Sequence, residues 1–111
     1  MKGRQLIYSS EFLNFIENCT PRTKEKLLYA TSILQTIVQI PSKFVKKLKN
    51  TDFYELRISA ENEVRVILFT TGSDNINLAQ QIIFLNAFIK KSTKDYKQEI
   101  QKAINILRKQ L

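Results

Sequence analysis

The apolar residues of this chain change their spacing twice, and that change limits the folds open to it. Through FYELRIS (residues 53–59) and EVRVILFT (63–70) polar and apolar residues alternate with strand character, as in a strand with one buried face. Before Pro41 the spacing is helical: Phe12, Phe15 and Ile16 share one face, and Leu27, Leu34, Ile37 and Val38 share another. From Lys94 to Lys109 it is helical again, with Ile100, Ala103, Ile104 and Leu107 in register. Residues 4–8 read as a short strand, and Ser9 or Ser10 can cap a helix over 10–18. Thr20-Pro21 is a helix start, a hydroxyl at the cap and proline in the first turn; this helix is expected to run to about Ile40, where Pro41 ends it. Ala60-Glu61-Asn62 has hairpin length, Thr71 to Asn75 form a second turn cluster, and a further strand lies in 80–89. The expected order is strand, two antiparallel helices, three strands, helix. Segregation of this kind predicts an α+β fold with helices on a mainly antiparallel sheet.

A length of 111 residues predicts one domain, 1–111, large enough for a single core. The single cysteine, Cys19, has no partner for an internal disulfide, which fits a reducing, cytoplasmic setting, and it is expected to be a half-buried helical residue. No apolar run has the roughly 20 residues of a membrane span, and MKGRQLIYSS lacks the apolar stretch of a signal peptide. No membrane partner is expected.

Eighteen Lys and Arg face ten Asp and Glu, a net charge of +8. The excess lies in residues 1–50, with nine basic and three acidic groups, and Lys43, Lys46, Lys47 and Lys49 fall within seven residues free of acid. A surface of this kind attracts polyanions. The chain has no histidine and only two glycines, Gly3 and Gly72. Histidine-based acid–base catalysis, a His-ligated zinc, a Walker loop and a dinucleotide fingerprint are therefore excluded. The carboxylates are scattered, so no metal site and no cofactor are expected.

With a three-residue loop at 60–62, Arg57 falls opposite Arg65 on one sheet face. Like charges placed so repel. Glu55 can compensate only one of them, so the pairing makes sense if an anion such as phosphate sits between them. FLNAFIKKS (84–92) ends an apolar strand on Lys90 and Lys91, of which one should join the arginine face. Lys94 and Tyr96 follow, while Lys46, Lys47 and Lys49 lead into the strand that carries Arg57. Such groups can cleave RNA without a metal, because the ribose 2′-hydroxyl is the nucleophile. Arginine stabilises phosphorane charge, a lysine amid like charges is a possible base, and tyrosine is a possible proton donor.

The pieces FVKKLKNTDFYELRIS, EVRVILFTTG, FLNAFIKKSTK and EIQKAINIL resemble the HigB-like, often phage-associated toxins of the RelE/ParE superfamily. The resemblance covers about residues 43–105, and the leading strand and helical hairpin fit the family order. It implies a RelE-like fold and the toxin of a type II toxin–antitoxin pair, a ribosome-dependent mRNA endonuclease. The implied partners are mRNA, the ribosome and a cognate antitoxin that often carries a helix-turn-helix domain. Carried over, the basic positions are Arg57, Arg65, Lys90, Lys91 and Lys94, with Lys46, Lys47 and Lys49 meeting RNA. The chain departs from the family in Asn86-Ala87 of LNAF, in Tyr96 where proline is usual, and in an insertion at Asn75 to Gln80. Two other functions stay open: a non-catalytic inhibitor of DNA gyrase, as in the ParE branch, and an inactive toxin-like binding module.

Overall fold

Ser9 and Thr20 start the first two helices. The Ser9 hydroxyl accepts the N–H of Phe12 at 2.9 Å, and Thr20, followed by Pro21, accepts that of Thr23 at 3.3 Å. In the computed structural model, which describes residues 3–110, these helices belong to a simple succession. Strand β1 (Gln5–Tyr8) leads into helices α1 (Ser10–Asn18) and α2 (Pro21–Thr36). Strands β2 (Val45–Lys47), β3 (Phe53–Ser59) and β4 (Glu63–Thr71) follow, then a 3-10 turn at Ile76–Leu78, strand β5 (Gln81–Ile89) and helix α3 (Asp95–Gln110). Met1 and Lys2, part of the segment read for a signal peptide, lie outside the described residues, as does Leu111.

The strands form one sheet in the order β1-β5-β4-β3-β2. β2 to β5 pair antiparallel, whereas β1 lies parallel to β5. The fold is α+β, with a mixed sheet that is mainly antiparallel, as expected. Both faces are covered. Leu56, Ile58, Val64, Val66, Leu68, Ile82 and Phe84 meet Phe12, Leu27 and Leu34 of the helical hairpin. Phe53, Ile67, Ile83, Leu85 and Phe88 meet Ala103 and Ile106 of α3 on the other side. Each fully buried Leu, Ile or Phe contributes about 1.5–3 kcal/mol, so the alternation read in the sequence specifies the two layers.

Four details depart from the sequence reading. Helix α2 stops at Thr36, not near Ile40, and Arg4 takes up carbonyls at and just beyond its open end. The Arg4 backbone N–H donates to Gln35 O at 2.9 Å, and its guanidinium donates to Leu34, Ile37 and Val38 carbonyls at 2.7–2.8 Å. Strand β2 was read only as a basic lead-in, yet Val45 to Lys47 pair with Leu56 to Tyr54. Cys19 is half-buried but stands just past α1, its Sγ 3.2 Å from Ile16 O. Finally, the β4–β5 register shifts: Ile67 pairs with Asn86 but Leu68 with Phe84, so Leu85 is an extra residue. At this bulge Leu85 and Asn86 both face α3, where Asn86 Nδ2 donates to Glu99. The turn cluster at 71–75 contains Gly72 at φ +86°, where a Cβ would meet Gln80 Cγ at 2.6 Å; glycine alone fits both demands.

Candidate functional site

Three-residue closure of the β3–β4 hairpin, with the Ala60 N–H on Asn62 O at 3.1 Å, puts Arg57 opposite Arg65. Both project on the α3 side, because Ile67, two residues along, packs into that layer. Phe88 of β5 is the next residue across from Arg65, and its ring meets that of Tyr96 edge-on at 5.5 Å between centroids. Tyr96 lies in the first turn of α3. The packing of this helix on Phe88 therefore delivers a phenol to the arginine pair.

Arg65 is buried, only 4% exposed. Its Nε donates to the Tyr96 hydroxyl at 3.2 Å, its Nη1 to Val64 O at 3.1 Å, and its Nη2 to Glu63 Oε1 at 3.4 Å. Arg57 lies nearer the surface, its side chain 38% exposed, with Nε 3.5 Å from Glu55 Oε1. The two like charges therefore need no outside anion to share a face: Glu55 offsets Arg57, and Glu63 offsets Arg65. The sequence reading assigned Glu55 to one arginine and overlooked Glu63. The signal was present, since Glu63 lies two residues before Arg65 on the same strand, as Glu55 does before Arg57.

Tyr96 is held neutral. Burial, and then the neighbouring Glu55 carboxylate, push its pKa up to about 12, against the opposing pull of Arg65. Its hydroxyl oxygen accepts a hydrogen bond from Arg65. Lys90 brings its Nζ to 5.7 Å from the Tyr96 ring centroid. Its backbone N–H extends the β4–β5 ladder to Glu63 O at 2.8 Å. Of the doubled lysines, Lys90 is the one that joins the cluster. Lys91 and Lys94 are exposed in the turn before α3. Asp95 shapes that turn, accepting the N–H groups of Lys91 at 2.9 Å and Ser92 at 3.0 Å. Those two bonds hold its carboxyl below the usual range.

The remaining lysines divide between the two faces. Lys46 lies across from Glu55 on the edge strand, exposed and on the arginine side. Lys47 turns the other way, with Nζ 5.7 Å from the Tyr54 ring centroid. Lys49 is exposed in the β2–β3 connection. The structure thus gathers Arg57, Arg65, Lys90 and Tyr96, with Lys46 on the same face, and leaves Lys47 outside. A solvent-facing guanidinium, a neutral phenol and a lysine at the rim form an arrangement that can hold a phosphodiester and give it a proton.

A mixed five-stranded sheet, helices on both faces and a basic cluster beside the last helix define a small α+β domain with a cationic site. Residues 14–108 match the family model described as Phage derived protein Gp49-like (DUF891), and the chain belongs to that family. A comparison with curated proteins gives no match. The matched span omits β1 and the start of α1 but contains every candidate site residue. Among the described residues, no helix is long and apolar enough to cross a membrane.

Proposed function

We infer that this chain is the toxin of a type II toxin–antitoxin pair, of the HigB-like kind in the RelE/ParE superfamily, acting in the cytoplasm as a ribosome-dependent mRNA endonuclease. The observation that carries the reading is the meeting of Arg57, Arg65, Tyr96 and Lys90 on one side of the sheet. The Gp49-like family, which is associated with RelE-like toxins, supports it. In this reading Arg57 grips the scissile phosphate and Arg65 fixes Tyr96. The 2′-hydroxyl attacks phosphorus and loses its proton to water, the P–O5′ bond breaks to leave a 2′,3′-cyclic phosphate, and Tyr96 gives its proton to the departing 5′-oxygen and is reprotonated from solvent. Lys90 stabilises the charge that develops on the phosphorane. Lys46, Lys49, Lys91 and Lys94 draw in the RNA backbone, and a cognate antitoxin with a helix-turn-helix domain neutralises the toxin.

Induced expression in growing bacteria tests the reading. Translation should stop, and primer extension should map cuts at defined codon positions. Induction of the DNA-damage response with intact transcripts would favour a gyrase inhibitor instead. The two internal ion pairs, which neutralise both arginines, favour a second reading: a toxin-like binding module without catalysis. Harmless expression of the wild-type chain would select it.

A further inference from the structure

Strand β5 runs on past the strand beside it. β1 pairs with Gln81 to Phe84 and ends at Tyr8. Ser9 closes that line, giving its N–H to Phe84 O at 3.0 Å and its hydroxyl to Leu85 O, and the chain turns into α1. On the other side β4 stays alongside β5 as far as Ile89. The Lys90 N–H points to β4, at Glu63 O. By alternation, Ala87 and Ile89 aim their N–H and C=O groups the opposite way, at the open edge. Among the described residues, no strand lies there. Such an edge is a template for one more strand.

The edge lies between α1 and α3, with a cavity on each side. Toward α1, about 500 Å³ is lined by Phe15, Cys19, Val64 and Ile89. Toward α3, about 350 Å³ is lined by Asn86, Glu99, Lys102 and Ile106. Glu11 and Ala87 border both. The exposed Glu11–Lys109 ion pair, at 3.6 Å, joins the two helices and is of a kind that opens at little cost. Asn86 is only 5% exposed, and its Nδ2 donates to Glu99 O and Oε1, yet its Oδ1 is buried without a donor. A buried amide oxygen in that state calls for an N–H or O–H. Beyond Ile89 stand the exposed Lys91 and Lys94. A second copy offering the same edge would bring its own α1 and α3 against these helices, whereas a single strand fits between them.

We propose that the open edge of β5 at Ala87 and Ile89 takes an extended acidic segment of a partner protein as a further strand of the sheet. Main-chain bonds to Ala87 and Ile89 hold it. Side chains opposite these two residues face α1 and are apolar. Those opposite Asn86 and Phe88 face α3, where one supplies the donor that Asn86 Oδ1 lacks. Acidic residues at the end beyond Ile89 meet Lys91 and Lys94. On the toxin reading, on which this consequence rests, the segment belongs to the antitoxin. It would then mask lysines that draw in RNA without touching Arg57.

The experiment titrates the ¹⁵N-labelled full chain with a blocked synthetic peptide, Asn-Val-Asn-Ile-Asp-Glu, and with its reverse, since a strand can add in either direction. With one of them at about 1 mM, the amide signals of Ala87 and Ile89 should move and their hydrogen exchange should slow about tenfold or more. The same peptide with lysines in place of its two acids should bind about tenfold more weakly. Ile89→Pro removes an N–H that only the open edge uses, as proline at a strand edge can, and should abolish binding. Asn86→Leu, which removes the buried acceptor, should weaken binding about tenfold and carries the test if the proline variant does not fold. Signals of Ala87 and Ile89 that stay unmoved by both peptides would overturn the proposal. So would equal binding of the lysine peptide, or a free chain that is already a dimer with both amides protected. Harmless expression of the wild-type chain would instead overturn the toxin reading, while the titration still decides what the edge accepts.

Discussion

Arg4 invites the most direct test of how this fold is held. Its guanidinium is buried and, among the described residues, has no carboxylate partner; the bonds it makes there run to backbone carbonyls. Nε donates to Ile76 at 3.0 Å, Nη1 to Leu34 and Ile37, and Nη2 to Val38 and Asn77 at 2.8 and 2.9 Å. One side chain therefore ties the end of α2 to the 3-10 turn before β5. In Arg4→Met, water can take over the carbonyls of Ile37, Val38 and Asn77, whose bonds are partly exposed. Those of Leu34 and Ile76 are buried. Two stranded carbonyls at about 1–3 kcal/mol each give about 2–6 kcal/mol. Relief of the guanidinium's own burial works the other way, which brings the expected loss to about 3 kcal/mol. That corresponds to roughly 10–20 °C in Tm for a domain of this size. Arg4→Lys should recover only part, since an ammonium lacks the planar fork that reaches both segments. Urea unfolding followed by circular dichroism measures all three proteins. An Arg4→Met midpoint equivalent to less than about 1 kcal/mol of loss would refute the claim that these bonds hold the helix end and anchor the turn.

Three further outcomes are expected. Arg57→Ala should lower transcript cleavage about 100-fold or more by removing charge stabilisation, and should cost about 1–3 kcal/mol of stability because it takes the ion-pair partner from the buried Glu55; primer extension and urea unfolding read the two effects. Neutralising Lys90 and Lys91 together should weaken RNA binding and flatten its salt dependence by up to about 1.4 in log–log slope, from about 0.7 per lost phosphate contact to a single strand; an unchanged slope would remove both lysines from the interface. Asp95, whose folded pKa lies below its unfolded value of about 3.9, contributes stability that is present above that unfolded value and lost as pH falls through the folded one. Asp95→Asn should therefore be less stable than wild type at pH 7, and the difference should close toward pH 2 in urea titrations at both pH values.

The parts of the fold that were legible in the sequence are those fixed by neighbours in the chain. Ser9 and Thr20-Pro21 start helices through their own side chains and backbone. The three-residue loop at 60–62 determines that Arg57 meets Arg65. The parts that stayed hidden depend on distant residues. Nothing near Thr36 announces the end of α2, where the carbonyls are met by Arg4, 30 and 33 residues away from Leu34 and Ile37 in the chain. Val45 to Lys47 become a strand only because Leu56 to Tyr54 lie alongside; alone they read as a basic loop. The parallel docking of β1 likewise joins residues far apart in the chain, such as Leu6 and Ile82. In the site, the arginines and Tyr96 carry their chemistry in their residue types. The burial of Arg65 and Glu55 arises from packing in the α3 layer, which no local pattern reports.

The extra residue at Leu85 works as a phase shifter for the end of β5. Alternation counted from Ile83 without interruption would put Ala87 and Ile89 toward α3, and Lys91 after them. With the shift, Phe88 and Lys90 point there instead. Removal of this one residue would restore unbroken alternation and leave Phe88 and Lys90 on the α3 side, opposite the same β4 partners. A relative with an unbroken strand would thus carry its working cation one step earlier along the chain, and an alignment that ignores the offset would pair the wrong residues.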